Sequence, residues 1–226
     1  MPTIQLDDLP LFYHDFGQGD ETLLALHPST VSGLLFQWAL PKNGHFRVLL
    51  PDQRGHGQTP NPAPDFHLYR FVDDMLRLLD ALNIETLHGI GYSLGASVLL
   101  GMAVRQPERF QSLTLLGAHH RRPMPAQLTA LAGPPEQRQG LVAEIMHPER
   151  GIGVGGDFDL GALGRLTCPV HLIAGDRDPV ADLEGYLALF RALPHGRLLV
   201  VPNCGHFGFH AHPLVLAHLQ SIYENL

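Results

Sequence analysis

A chain of 226 residues suits one domain with a sizeable core, and its 45% hydrophobic, 16% charged make-up argues against disorder. A formal net charge of −7, with no basic block to offset it, argues against nucleic acid or an anionic membrane as partner. Two cysteines, Cys168 and Cys204, lack Cys-x-x-Cys spacing and signal neither a disulfide framework nor a zinc site.

The N-terminus, Met1-Pro2-Thr3-Ile4-Gln5, has no charged region followed by an apolar one, so no signal peptide is expected. No apolar run approaches membrane-spanning length, and a soluble cytoplasmic protein is the expectation. A hairpin is predicted over Ile4 to Phe16, leaving through Gly17-Gln18-Gly19-Asp20. Thr22 to Leu26 reads as a short buried strand, and Val31 to Leu40 as a helix stopped by Pro41. Phe46 to Leu50 is the next strand. Asp65 is expected to cap a long amphipathic helix with Phe71, Met75, Leu78, Leu79 and Leu82 on one face. Arg70, Asp73, Asp74, Arg77 and Asp80 fall off that face.

Ile84 to Ile90 then reads as a strand and Ala96 to Val104 as a helix apolar all round, which belongs in a core. Ser112 to Leu116, Val170 to Ala174 and Leu198 to Val201 are further strands. Helices are predicted from Leu183 to Leu193 and from Pro213 to Tyr223. Unbroken apolar strands alternating with helices predict an α/β fold, a mostly parallel sheet covered on both faces. The rhythm breaks between Leu116 and Val170, where one domain, residues 1–226, is expected to carry a lid over about 118–166 with a helix from Glu136 to Met146. Within it, Gly151-Ile152-Gly153-Val154-Gly155-Gly156 matches a dinucleotide fingerprint literally. No strand precedes it and no helix opens on it, so it reads as a flexible loop.

Between the central strand and its helix stands Gly91-Tyr92-Ser93-Leu94-Gly95. A turn that tight strains the serine backbone, and a Cβ at either glycine would collide with neighbours. This is the nucleophile-elbow pattern, which lifts a hydroxyl above the sheet at a helix N-terminus. A serine needs a base oriented by a carboxylate. Candidates follow two later strands, in Gly175-Asp176-Arg177-Asp178-Pro179 and in Cys204-Gly205-His206. Residues at the carboxyl ends of parallel strands converge on one crevice.

With Leu26-His27-Pro28 and Asp52-Gln53-Arg54-Gly55-His56-Gly57-Gln58-Thr59, these segments resemble the α/β-hydrolase superfamily nearly end to end, in its cofactor-free serine-hydrolase form. The resemblance implies Ser93 as nucleophile, His206 as base and Asp178 as acid, with Asp176 as the rival acid or a brace for its turn. It implies an oxyanion hole from the N–H groups of Ser29 and Leu94, and no metal or organic cofactor. Where the family usually has His-Gly, this chain has His27-Pro28; proline removes one N–H, but not that of Ser29. The loop Asp52 to Thr59 is expected to be structural, which sets aside catalytic roles for Asp52 and His56. Phe36, Trp38 and Tyr92 are candidates to line an acyl pocket, and the short lid predicts a shallow, open site. The reading is a serine esterase for a small acyl substrate. A C–C or enol-lactone hydrolase with the same triad is the alternative, and a ligand receptor or cofactor-free lyase is a third.

Overall fold

A computed structural model describes residues 2–41, 44–121, 127, 129, 132, 133, 135–153 and 157–226. Strands β1 (Thr3–Leu6) and β2 (Leu9–Phe16) form the predicted antiparallel hairpin, turning at Asp7. They are followed by β3 (Glu21–Leu26) and β4 (Phe46–Pro51), then β5 (Leu87–Tyr92) and β6 (Phe110–Leu116), then β7 (Val170–Gly175) and β8 (Gly196–Val201). Their order across the sheet is β1-β2-β4-β3-β5-β6-β7-β8. From β4 to β8 every pairing is parallel, and only the hairpin side is antiparallel. Connections between parallel strands cross over the sheet, which is why helices cover it.

Helix α1 (Leu68–Ala81) and helix α2 (Leu94–Arg105) fill two crossovers. Between β6 and β7 lie the short helices α3 (Gly140–Ile145) and α4 (Leu160–Leu163). Helices α5 (Leu183–Ala192) and α6 (Pro213–Glu224) complete the chain. α1, α2 and α5 bury one face of the sheet through Phe71, Met75, Leu99, Met102 and Tyr186. α6 covers the other with Val215, Leu219 and Tyr223, beside Phe36 and Ala39. Among the described residues no helix is long and apolar enough to cross a membrane.

Four local expectations are corrected. Val31 to Leu40 is no α-helix but a 3-10 helix, Gly33–Ala39, pinned because Asp52 Oδ1 accepts the Gly33 N–H at 2.7 Å. Asp65 is not the N-cap of α1. His67 holds that place, while the Asp65 carboxylate accepts the His67 N–H at 3.2 Å and grips Arg70 at 2.7 Å. Asp74 does not face solvent but is wholly buried, in a paired grip of 2.9 and 2.8 Å on Arg54. The helix expected from Glu136 to Met146 is broken, because Gly140 takes φ +54° and α3 starts there. Of the glycine run, Gly151 donates to the His147 carbonyl in the turn after α3; Val154, Gly155 and Gly156 lie outside the described residues.

Candidate active site

The junction of β5 and α2 holds Ser93 at φ +52° and ψ −111°, a backbone conformation costly for any residue with a Cβ. Both flanking glycines are demanded by space. A Cβ on Gly91 would lie 2.6 Å from the Gly95 carbonyl, and one on Gly95 would lie 2.1 Å from the Leu26 carbonyl oxygen. The turn is clamped from both sides. The Ser93 N–H donates to Leu116 O at 2.8 Å, and the Ser93 carbonyl accepts the Ser97 N–H at 3.0 Å, starting the helix.

His206 arrives from the loop after β8 with its Nε2 2.9 Å from Ser93 Oγ. Its Nδ1 is 2.7 Å from Asp178 Oδ2, in the loop after β7. All three residues are buried. The second carboxylate oxygen, Oδ1, accepts the N–H groups of Val180 at 2.8 Å and Ala181 at 3.0 Å. A neutral His206 therefore donates from Nδ1 to the acid and accepts the serine hydroxyl at Nε2. The Tyr92 hydroxyl donates to the His206 carbonyl; burial and the nearby Asp178 push its ionisation up, keeping it a phenol.

Asp176, two residues away, has other work. Its Oδ1 accepts the Cys204 N–H at 3.2 Å, while the Arg177 N–H donates to Cys204 O at 3.0 Å. These bonds tie the loop that carries Asp178 to the loop that carries His206. Asp73 pairs with Arg105, and Asp74 with Arg54.

Leu94 opens α2, where the first N–H groups of a helix lack an intrahelical partner, and Ser29 lines the same cavity as Ser93. The Ser29 loop hangs on His27, a role the sequence motif does not reveal. His27 is fully buried, and desolvation holds its pKa at about 3, so the ring is neutral. Its Nδ1 then donates to Pro28 O at 2.7 Å and its Nε2 accepts the Gln53 N–H at 3.0 Å. Asp52 and His56 sit buried in the supporting loop. Asp52 accepts the N–H groups of Gly33 and Gln58, and His56 Nδ1 lies 2.8 Å from Arg54 O.

Above Ser93 opens a cavity of about 620 Å³. Its walls come from Pro28, Thr30, Val31, Leu35 and Trp38 and from Phe207 and His210, with the Trp38 and His210 rings edge to face at 6.3 Å. Ala132, Val142 and Met146, from the segment between β6 and β7, also line it. Trp38 and Tyr92 line the cavity as predicted; Phe36 is fully buried in the core instead. α3 thus reaches the cavity through Val142, and its C-cap Met146 joins it there. His119 lies three residues past the end of β6. Its Nε2 lies 3.4 Å from Ser97 Oγ, one helical turn beyond Ser93. Burial first, then the neighbouring His206, lowers its pKa to about 4, so it adds no charge behind the site.

Residues 30–155 match a family model described as the alpha/beta hydrolase fold. A 2-hydroxymuconate semialdehyde hydrolase of Pseudomonas putida is 27% identical over 86% of this chain and 83% of its own length. An (E)-2-((N-methylformamido)methylene)succinate hydrolase of Acinetobacter baylyi is 23% identical over 85% of this chain and 86% of its own. The solved meta-cleavage product hydrolase of Pseudomonas fluorescens IP01 superposes with a TM-score of 0.80. It is 22% identical, covering 100% of this chain and 96% of that one, a likeness of fold.

Proposed function

This chain belongs to the alpha/beta hydrolase fold family, and from that premise we propose that it is a serine hydrolase cleaving carboxylic esters or related acyl bonds. The observation that carries this reading is the unbroken chain of hydrogen bonds from Ser93 Oγ through His206 to Asp178, at 2.9 and 2.7 Å. Ser93 Oγ attacks the acyl carbonyl while its proton passes to His206 Nε2. The carbonyl electrons move onto oxygen, opposite the N–H groups of Leu94 and Ser29. Collapse expels the alcohol, which takes the proton from His206 and leaves Ser93 acylated. Water, deprotonated by the same nitrogen, then releases the acid and restores the serine. Asp178 holds the imidazole tautomer and faces the imidazolium as it forms. Residues 118–166 serve as the lid, with Val142 and Met146 as its apolar inner side.

A second reading rests on the relatives, whose names place hydrolysis of meta-cleavage products and of a muconate semialdehyde in this fold. There the same three residues would act in cleavage of a C–C bond. Labelling with a fluorophosphonate probe, lost in Ser93→Ala, together with turnover of p-nitrophenyl esters graded from acetate to octanoate, tests the ester reading. The cavity leads us to expect the highest kcat/KM at acyl groups of about four to eight carbons. Labelling without turnover of any ester would turn the assignment to C–C cleavage or to ligand reception.

A further inference from the structure

Two side chains at the mouth of the cavity are out of keeping with a water-facing surface. Leu35 is 64% exposed and Phe207 is 63% exposed, the highest values among the exposed large apolar residues described. Both line the cavity over Ser93. Scattered apolar residues on a surface need no explanation, but two that share one concave site do. Behind them the wall continues with Val31, Trp38, Val142 and Met146.

Charge is distributed in the opposite sense. Among the described residues, no Arg, Lys, Asp or Glu lines this cavity. Its polar side chains are the hydroxyl residues Ser29, Thr30, Tyr92 and Ser93, the indole of Trp38 and the rings of His206 and His210. His206 is committed to Asp178, and His210 Nδ1 lies 3.1 Å from the Phe207 carbonyl. A carboxylate entering this space would lose water without meeting a fixed cation among the described residues, a desolvation that apolar walls cannot offset.

We infer that the site takes uncharged substrates with an apolar acyl group, gripped at the mouth by Leu35 and Phe207, and discriminates against acyl groups that end in a carboxylate. This rests on the acyl-enzyme reading above and specifies its substrate class. Leu35 and Phe207 are thereby specificity-determining residues, touching the acyl chain beyond the reacting carbonyl.

The test uses the full chain with two p-nitrophenyl esters of equal acyl length, the butyrate and the hemisuccinate, which differ by a carboxylate in place of the terminal methyl. We expect kcat/KM to favour the butyrate at least about 100-fold. Leu35→Arg places a guanidinium at the mouth on a side chain already mostly in water, so folding is not at risk. It is expected to cut that preference at least about tenfold, with the absolute rate on the hemisuccinate rising. Phe207→Ala is expected to raise KM for the octanoate ester at least about fivefold more than for the acetate ester. Wild-type rates on butyrate and hemisuccinate within about threefold of each other would overturn the inference and leave the esterase intact. So would a Leu35→Arg variant with unchanged preference, or a Phe207→Ala variant that affects long and short esters alike. Turnover of neither ester would sink the ester reading and take the inference with it.

Discussion

The two oxygens of Asp178 have different partners, and that division makes an amide in their place informative. Oδ1 is held by the N–H groups of Val180 and Ala181, so in Asp178→Asn the amide oxygen must take that side. The NH₂ then faces His206 Nδ1 and donates to it, which puts the ring proton on Nε2, where Ser93 needs an acceptor. We expect a loss of about 10⁴ in kcat with a folded protein. Asp176→Asn keeps an oxygen for the Cys204 N–H and should lose no more than about tenfold, a difference that kinetics beside a melting curve resolves. If Asp176→Asn were the dead variant, the acid would be misassigned. Asp74→Ala probes a different buried carboxylate. Burial raises its pKa against the pull of Arg54, and removing it strands the guanidinium. A cost of about 3–5 kcal/mol, on the order of 10 °C in Tm, is expected. At this scale, chemistry tied to a motif was legible in the sequence, and partnership was not. The resemblance to the family favours Asp178 over its rival Asp176, and the hydrogen bond to His206 falls on Asp178. The helical period of α1 cannot see Arg54, 20 residues away, and so placed Asp74 outside.

The elbow, set by its own residues, was read well, whereas elements whose ends are set by a neighbour's hydrogen bond, or by a glycine as at Gly140, were not. In the elbow, Gly91 and Gly95 state in sequence where no Cβ fits. The 3-10 helix Gly33–Ala39 has its first N–H claimed by Asp52 on another segment. The elbow also carries a measurable strain. At φ +52° and ψ −111°, Ser93 occupies a region open to glycine and unfavourable to other residues. Ser93→Gly and Ser93→Ala should both be inactive, yet differ in stability. Glycine relieves about 1–3 kcal/mol of strain while adding unfolded-state freedom of under about 1 kcal/mol. Differential scanning calorimetry should find Ser93→Gly melting about 3 °C above Ser93→Ala. An alanine variant of equal or higher Tm would mean the turn stores no strain.

Acid should unfold the whole molecule earlier than its carboxylates alone would. His27, His119 and His171 are held at about 3, 4 and 4, each chiefly by burial, against an ordinary value of 6.5. Between those values and 6.5 the unfolded chain binds more protons than the native one, so stability falls as pH falls. The loss starts below about pH 6.5 and, for His27, continues to about pH 3. At pH 5 each such histidine costs about 2 kcal/mol. Tm measured from pH 7.5 to 5 should therefore drop steeply, and a flat profile over that range would refute the burial of these rings as neutral groups. Most of the whole-molecule design was legible from the alternation of apolar strands with helices. The cavity was not. Its walls are drawn from separated stretches, around residues 30, 90, 140 and 207, and no single stretch records that they face one another.

The hydrogen bond between Ser93 and His206 closes a loop of 113 positions along the chain, and this bears on biosynthesis. At about 5–20 residues per second, roughly 6–23 s separate the appearance of Ser93 from that of His206. For nearly all of that interval β8 is not yet complete, and until His206 is added the Ser93 hydroxyl has no imidazole beside it. On the proposed function, acylating power arrives only after the last strand of the sheet, with the loop that carries His206, and a chain that stops short of it should carry none.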